Sequence, residues 1–193
     1  MIEKKNLKII FSALDRQLAV SGGSGISLVV CGGTALAALG LVTRTTKDVD
    51  VLGLLERGRI RKIGKFPSWL SEAATKVARD FNLPDNWLNP GPASALDFGL
   101  PEGLLGRVVT RQFGTKLIVH FLGRYDQICF KVYAATDQGP GKHLDDLLLL
   151  KPTADEIEQA ARWSMSHDSS EGYRQSLRDL LEYIGFGDVA QRL

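Results

Sequence analysis

Two cysteines, two methionines and three histidines in 193 residues leave little material for thiolate or disulfide chemistry. Cys31 and Cys129 lie in apolar stretches, VVCGG and QICFK, with no further Cys or His at a zinc-binding spacing. Both read as small core residues of a reducing compartment. His143 and His167 also lack ligand partners at helical spacing, so neither is assigned a catalytic role. No run reaches the roughly 18 apolar residues of a membrane span, and Met1 to Ile10 is charged and amphipathic without a signal-peptide apolar core. A cytoplasmic protein with no membrane partner is expected. The 24 basic and 22 acidic residues nearly balance, and a net charge of +2 excludes the strongly basic profile of a dedicated nucleic-acid binder. Internal repeats and low-complexity segments are absent.

What is present is concentrated between Ser27 and Leu54, SLVVCGGTALAALGLVTRTTKDVDVLGL. An apolar strand enters a glycine pair, a short Ala/Leu helix follows, and a second apolar strand carries two aspartates. A strand projects residues i and i+2 from one face, so Asp48 and Asp50 should stand together, roughly 7 Å apart along the chain, with Val49 and Val51 facing the core. Paired carboxylates of this kind suit a divalent metal. Gly32 and Gly33 fall where the strand turns into the helix, and backbone N–H groups at such a turn, aided by the helix dipole, cradle phosphate.

The rest of the chain frames this unit. Leu7 to Val20 has helical spacing, and SGGSG from Ser21 breaks it before the Ser27 strand. Ser68 to Asn82 reads as a helix with a serine cap, stopped by Pro84. Asp85 to Pro101 reads as a loop, and Leu104–Val109 and Lys116–Leu122 as strands. Arg57, Arg59, Arg61, Lys62 and Lys65 gather in a loop or irregular extension directly after the aspartate strand, either as a solvated charged loop or as a basic rim that steers a triphosphate or an RNA end. Beyond Arg124 the pattern becomes helical: Tyr125–Asp137, HLDDLLLL from His143, the capped segment from Thr153, and the segment from Tyr173 ended by Gly185. Four consecutive leucines, Leu147 to Leu150, predict a helix buried nearly all round. These readings give an α/β (α+β) chain, a small mixed sheet with flanking helices over residues 1–124 and a helical subdomain over 125–193.

GG followed by Thr34, the Ala/Leu helix and D-V-D resemble the first two motifs of the DNA polymerase beta-like nucleotidyltransferase superfamily. The match is closest to minimal bacterial members with a GGTAL…G…RTT.D.D signature, similar to the toxins of abortive-infection systems. The resemblance implies transfer of a nucleoside monophosphate from an NTP to an acceptor hydroxyl, on a tRNA or RNA end or a protein side chain. It implies Mg²⁺, with Mn²⁺ as the alternative, held by Asp48 and Asp50. Phosphates would be bound by Gly32, Gly33 and Thr34, and a toxin role would bring an antitoxin partner. Arg44 either reaches the phosphates, fixes the loop, or forms a salt bridge with Asp48 or Asp50.

The same resemblance extends to FKVYAATDQGPGKHLDDLLLL, where Lys131 matches a phosphate-pairing lysine and Asp146 a functional aspartate. Their alternatives are a snorkelling lysine and a helix-capping carboxylate. One departure stands out. The superfamily commonly has a third carboxylate on the strand beside D-x-D, and LIVHFL offers His120 there, as a general base, a manganese-tolerant ligand or a core-edge histidine. Asp97 and Asp126 are further oxygen donors that no spacing selects. A catalytically inactive nucleotide- or partner-binding module is therefore the competing expectation.

Overall fold

A computed structural model describes residues 1–193, which divide into two compact units: Met1–Asp97 with Leu105–Leu122, and Phe98–Leu104 with Gly123–Leu193. The fold is of the α/β class.

The first unit holds α1 (Lys4–Val20), β1 (Ile26–Cys31), α2 (Gly32–Leu39), β2 (Val49–Glu56), β3 (Arg59–Arg61), α3 (Ser68–Phe81), β4 (Leu88–Asn89), a 3₁₀ segment (Gly91–Asp97), β5 (Val109–Gln112) and β6 (Leu117–Phe121). The short α4 (Leu104–Arg107) precedes β5. The six strands form one mixed sheet in the order β3-β2-β1-β6-β5, with β4 pairing β2 at its beginning. β1 runs parallel to β6 and antiparallel to β2.

In α1, Leu7, Ile10, Phe11, Leu14 and Leu18 repeat at three- and four-residue steps and are all buried. They share a core with Leu70, Ala73, Val77 and Ala78 of α3 and with Leu28, Val30, Val49, Val51, Val119 and Phe121 from the sheet. Val49 and Val51 thus face the core, as alternation predicts, which turns Asp50 to the other face. The fully buried Trp87 locks the beginning of β2: its indole N–H donates to the Ala74 carbonyl (2.9 Å), and its own carbonyl accepts from the Val49 N–H.

Several local expectations are corrected. Leu104–Arg107 is a turn of helix begun by the Leu104 N–H bonding to the Pro101 carbonyl, and the strand starts only at Val109. Pro67, extended at ψ 148°, is the N-cap of α3; Ser68 is already helical and makes no side-chain cap. The Asp85–Pro101 stretch contains β4 and the 3₁₀ segment. The basic run after β2 is a hairpin, with Glu56 paired to Arg59 and Leu54 to Arg61.

The second unit contains α5 (Arg124–Gln138), α6 (Lys142–Leu150), α7 (Ala154–Met165), α8 (Glu171–Tyr183) and α9 (Gly187–Ala190). α5 packs against α6, α7 and α8. Thr153 and Glu156 form a capping box at the start of α7, and the Ser170 hydroxyl accepts from the Tyr173 N–H at the start of α8. Arg124 donates to the Leu150 and Lys151 carbonyls at the end of α6 and pairs with Glu156. The four-leucine helix is not buried all round: Leu147 and Leu150, three residues apart, are buried, whereas Leu148 and Leu149 are about half exposed, at 48% and 54%. No helix is long and apolar enough to cross a membrane.

Candidate nucleotide and metal site

The beginning of α2 is where the first unit collects its polar side chains. Gly32 has φ +68°, a left-handed conformation, and an added Cβ would collide with the Asp50 carboxylate. Glycine is thus required twice over, by backbone and by space. A Cβ on the buried Gly33 would sit 3.1 Å from Arg44 Nη2 and 3.2 Å from the Thr46 hydroxyl, so a guanidinium and a hydroxyl stand directly over the first turn of the helix. Cys31 at the N-cap provides no side-chain cap to that turn; its thiol lies 3.7 Å from the Asp50 carbonyl.

Asp48 and Asp50 are both half-buried. The Thr46 hydroxyl donates to Asp48 Oδ1 (2.9 Å). On the other carboxylate, Asn89 Nδ2 donates to Asp50 Oδ1 (3.3 Å), and the amide is oriented by its own Oδ1 accepting from the Gly91 N–H (3.0 Å). β4 exists in register with β2, Asp50 opposite Asn89, and that pairing places the amide. The sequence alone gives Thr46 and Asn89 no role. Thr46 adjoins the D-x-D motif, which is a signal; Asn89, 39 residues away, has none.

The fold therefore brings Gly32, Gly33, Arg44, Thr46, Asp48 and Asp50 together. Thr34 belongs to the same cluster with a different task from phosphate binding. It is fully buried, and its hydroxyl donates to the Asp48 carbonyl (2.6 Å), fixing the backbone that presents the aspartates. Arg44 Nη1 also donates to the Thr45 carbonyl (3.3 Å), which holds the guanidinium in place over Gly33.

Electrostatically the cluster has two poles. The N-terminus of α2 and the Arg44 guanidinium favour an anion, and the Asp50 carboxylate already lies against Gly32 at that terminus; the two carboxylates in turn favour a cation. Their oxygens are hard donors of the type magnesium prefers, so the residues present fit that ion. The third carboxylate does not come from β6: that strand pairs with β1 and β5, not with β2. His120 on it is buried, with Nδ1 2.8 Å from the Thr110 hydroxyl, Nε2 without a partner, and its pKa pushed below the ordinary value by burial. It is a core-edge histidine. Asp97 is taken by an ion pair with Lys62 at the surface, and Asp126 is buried in the first turn of α5.

Lys131 and Asp146 do meet, within the second unit. Lys131 Nζ lies 2.8 Å from Asp146 Oδ2, with side-chain exposures of 4% and 0%, and it also donates to His143 Nδ1 (3.3 Å). His143 is therefore a neighbour of the lysine rather than an isolated histidine. Neither the snorkelling lysine nor the exposed capping aspartate is what the fold contains.

Comparison with protein-family models, curated proteins and solved structures finds no match for this chain.

Proposed function

We propose that the chain is a metal-dependent nucleotidyltransferase that moves a nucleoside monophosphate from an NTP to an acceptor hydroxyl. The observation that carries this reading is the two-pole cluster at the start of α2: Gly32, Gly33 and Arg44 suited to phosphate, Asp48 and Asp50 suited to Mg²⁺, all tied together by Thr34, Thr46 and Asn89. A bound triphosphate carries both requirements at once, negative oxygens for the helix terminus and a bridging cation for the carboxylates. When bound, the metal would neutralise charge on the phosphates and favour the ionised form of an attacking hydroxyl.

The chain's own residues have definable parts. Gly32 leaves room for the Asp50 carboxylate, and Gly33 for the Arg44 guanidinium and the Thr46 hydroxyl, so both signs of charge stand against the first turn of α2. Arg44, anchored on the Thr45 carbonyl, faces that approach with a fixed positive charge. Thr46 and Asn89 each donate to one oxygen of a carboxylate, which orients the remaining lone pairs. The resemblance alone assigns Lys131 to the phosphates, Asp146 to orienting a phosphate-binding group or to activation, an RNA end or protein side chain as acceptor, and an antitoxin as partner.

The test begins with calorimetric titration of Mg²⁺-ATP and Mg²⁺-GTP, followed by pyrophosphate release in the presence of total RNA or lysate protein. Binding and release by the wild type, both abolished in Asp48→Asn and Asp50→Asn, are expected. Release that persists in both variants would place the chemistry elsewhere. The second reading, a nucleotide-binding module without transfer, is favoured by the two-carboxylate site and by His120 lying off the strands next to β2. It predicts Mg²⁺-dependent NTP binding that Asp50→Asn removes, with no pyrophosphate released under any condition.

A further inference from the structure

The β2–β3 hairpin segregates charge more strongly than any other stretch. Residues 56–65, ERGRIRKIGK, set five cations against Glu56 alone, a net +4, although the whole chain carries only +2. The hairpin is also tightly closed. Glu56 pairs directly with Arg59, so Arg57 and Gly58 form a two-residue turn, and both have positive φ (51° and 76°) as a type I′ turn requires.

Not all of these cations are available. Arg61 is held by two bonds to Glu56, 2.8 Å each, and Lys62 is paired with Asp97. Arg57, Arg59 and Lys65 are exposed and have no carboxylate at ion-pairing distance. The turn lies roughly 20 Å along β2 from Asp50, at about 3.3 Å per residue, so Arg57 and Arg59 stand apart from the carboxylate cluster, and Lys65 follows four residues beyond β3.

The geometry points to this hairpin as a docking surface for a nucleic-acid backbone. The surface is charged without being apolar: none of the large exposed hydrophobic side chains falls within residues 56–66. An anionic membrane would need an apolar wedge beside the basic residues, and a protein partner an apolar anchor. A phosphodiester chain needs neither, because phosphate contacts supply affinity through counterion release and are indifferent to sequence. With no exposed aromatic side chain on the hairpin, base stacking contributes nothing and binding follows salt alone. This inference goes beyond the nucleotide site and does not depend on its activity.

The experiment is fluorescence anisotropy with a labelled 15-nucleotide oligouridylate, on wild type and on the triple variant Arg57→Gln/Arg59→Gln/Lys65→Gln. All three positions are exposed, and matching urea midpoints verify the fold. Three phosphate contacts to a single strand give a slope of about −2 in log K against log salt, roughly a twentyfold loss between 50 and 200 mM. The triple variant should lose that slope and at least tenfold in affinity at 50 mM salt, while the charge-retaining Arg57→Lys/Arg59→Lys variant should bind as wild type. Unchanged affinity and slope in the triple variant would overturn the proposal. So would phosphatidylserine vesicles or polyglutamate displacing the RNA as effectively, charge for charge, as unlabelled RNA does.

Discussion

The Lys131 ammonium sits 2.8 Å from the Asp146 carboxylate in a setting where neither side chain is more than 4% exposed. Bringing both charges out of water is costly, and their attraction offsets that cost only while both are present. Lys131→Met leaves the buried Asp146 carboxylate without its cation and should lower unfolding stability by about 3–5 kcal/mol. Lys131→Met/Asp146→Leu should recover most of this loss, because no uncompensated charge remains. Urea denaturation of the two variants decides it: a single variant within about 1 kcal/mol of wild type would mean that water reaches the pair.

Gly32 and Gly33 should respond differently to alanine, though they are adjacent. At Gly32 the left-handed backbone costs an alanine roughly 1–2 kcal/mol, and its Cβ would also displace the Asp50 carboxylate. Gly32→Ala should therefore lower both stability and Mg²⁺-NTP affinity. Gly33 has helical backbone, where alanine gains about 0.5–1 kcal/mol of propensity, and its close neighbours at 3.1 and 3.2 Å are the ends of two side chains that can shift. Gly33→Ala should leave thermal stability near wild type while weakening NTP binding, read by differential scanning fluorimetry and calorimetry. Equal loss of stability in both would contradict the helical setting of Gly33.

These positions also show what the amino-acid order makes legible. Strand alternation places Val49 and Val51 in the core and Asp50 outside it, and the helical period of Leu7, Ile10, Phe11, Leu14 and Leu18 announces α1, because both patterns are local and strongly apolar. The β3 strand is hidden, since its three residues alternate arginine with a single isoleucine at a sheet edge and leave no apolar pattern to read. Asn89 on Asp50 is hidden for another reason: it arises from pairing between strands 39 residues apart. His143 on Lys131 depends on how α5 and α6 pack, and His120 was displaced from the site by a strand order that periodicity does not encode.

Acid should weaken the fold through two histidines. Burial pushes His120 below its ordinary value of 6.5, and burial does the same to His167, partly opposed by the bond from its Nε2–H to the Gly99 carbonyl. The unfolded chain takes up these protons as the pH drops through about 6.5, while the folded chain resists until lower pH. Stability is therefore complete above 6.5 and declines as the pH falls toward and through the folded values. Urea midpoints at pH 7.5 and 5.5 should show the decline. His120→Leu removes one of the two groups and a buried Nε2 that has no partner, so it should be as stable as wild type at pH 7.5 and less acid-sensitive. A wild-type midpoint equal at both pH values would contradict the burial of these rings.

Arg44 separates phosphate recognition from the support of the loop. Its guanidinium stands over Gly33, and Nη1 donates to the Thr45 carbonyl at 3.3 Å. A charge-assisted bond to a phosphate contributes about 1.5–3 kcal/mol, equivalent to roughly 10- to 150-fold in affinity. Arg44→Met keeps the aliphatic stem and removes the charge, so Mg²⁺-NTP affinity should fall within that range. Arg44→Lys restores charge but not the planar fork and should fall between the two. Calorimetric titration of an NTP against the corresponding nucleoside makes the test specific: the loss should appear with the triphosphate alone. An equal loss for the nucleoside would assign Arg44 to the loop rather than to the phosphates.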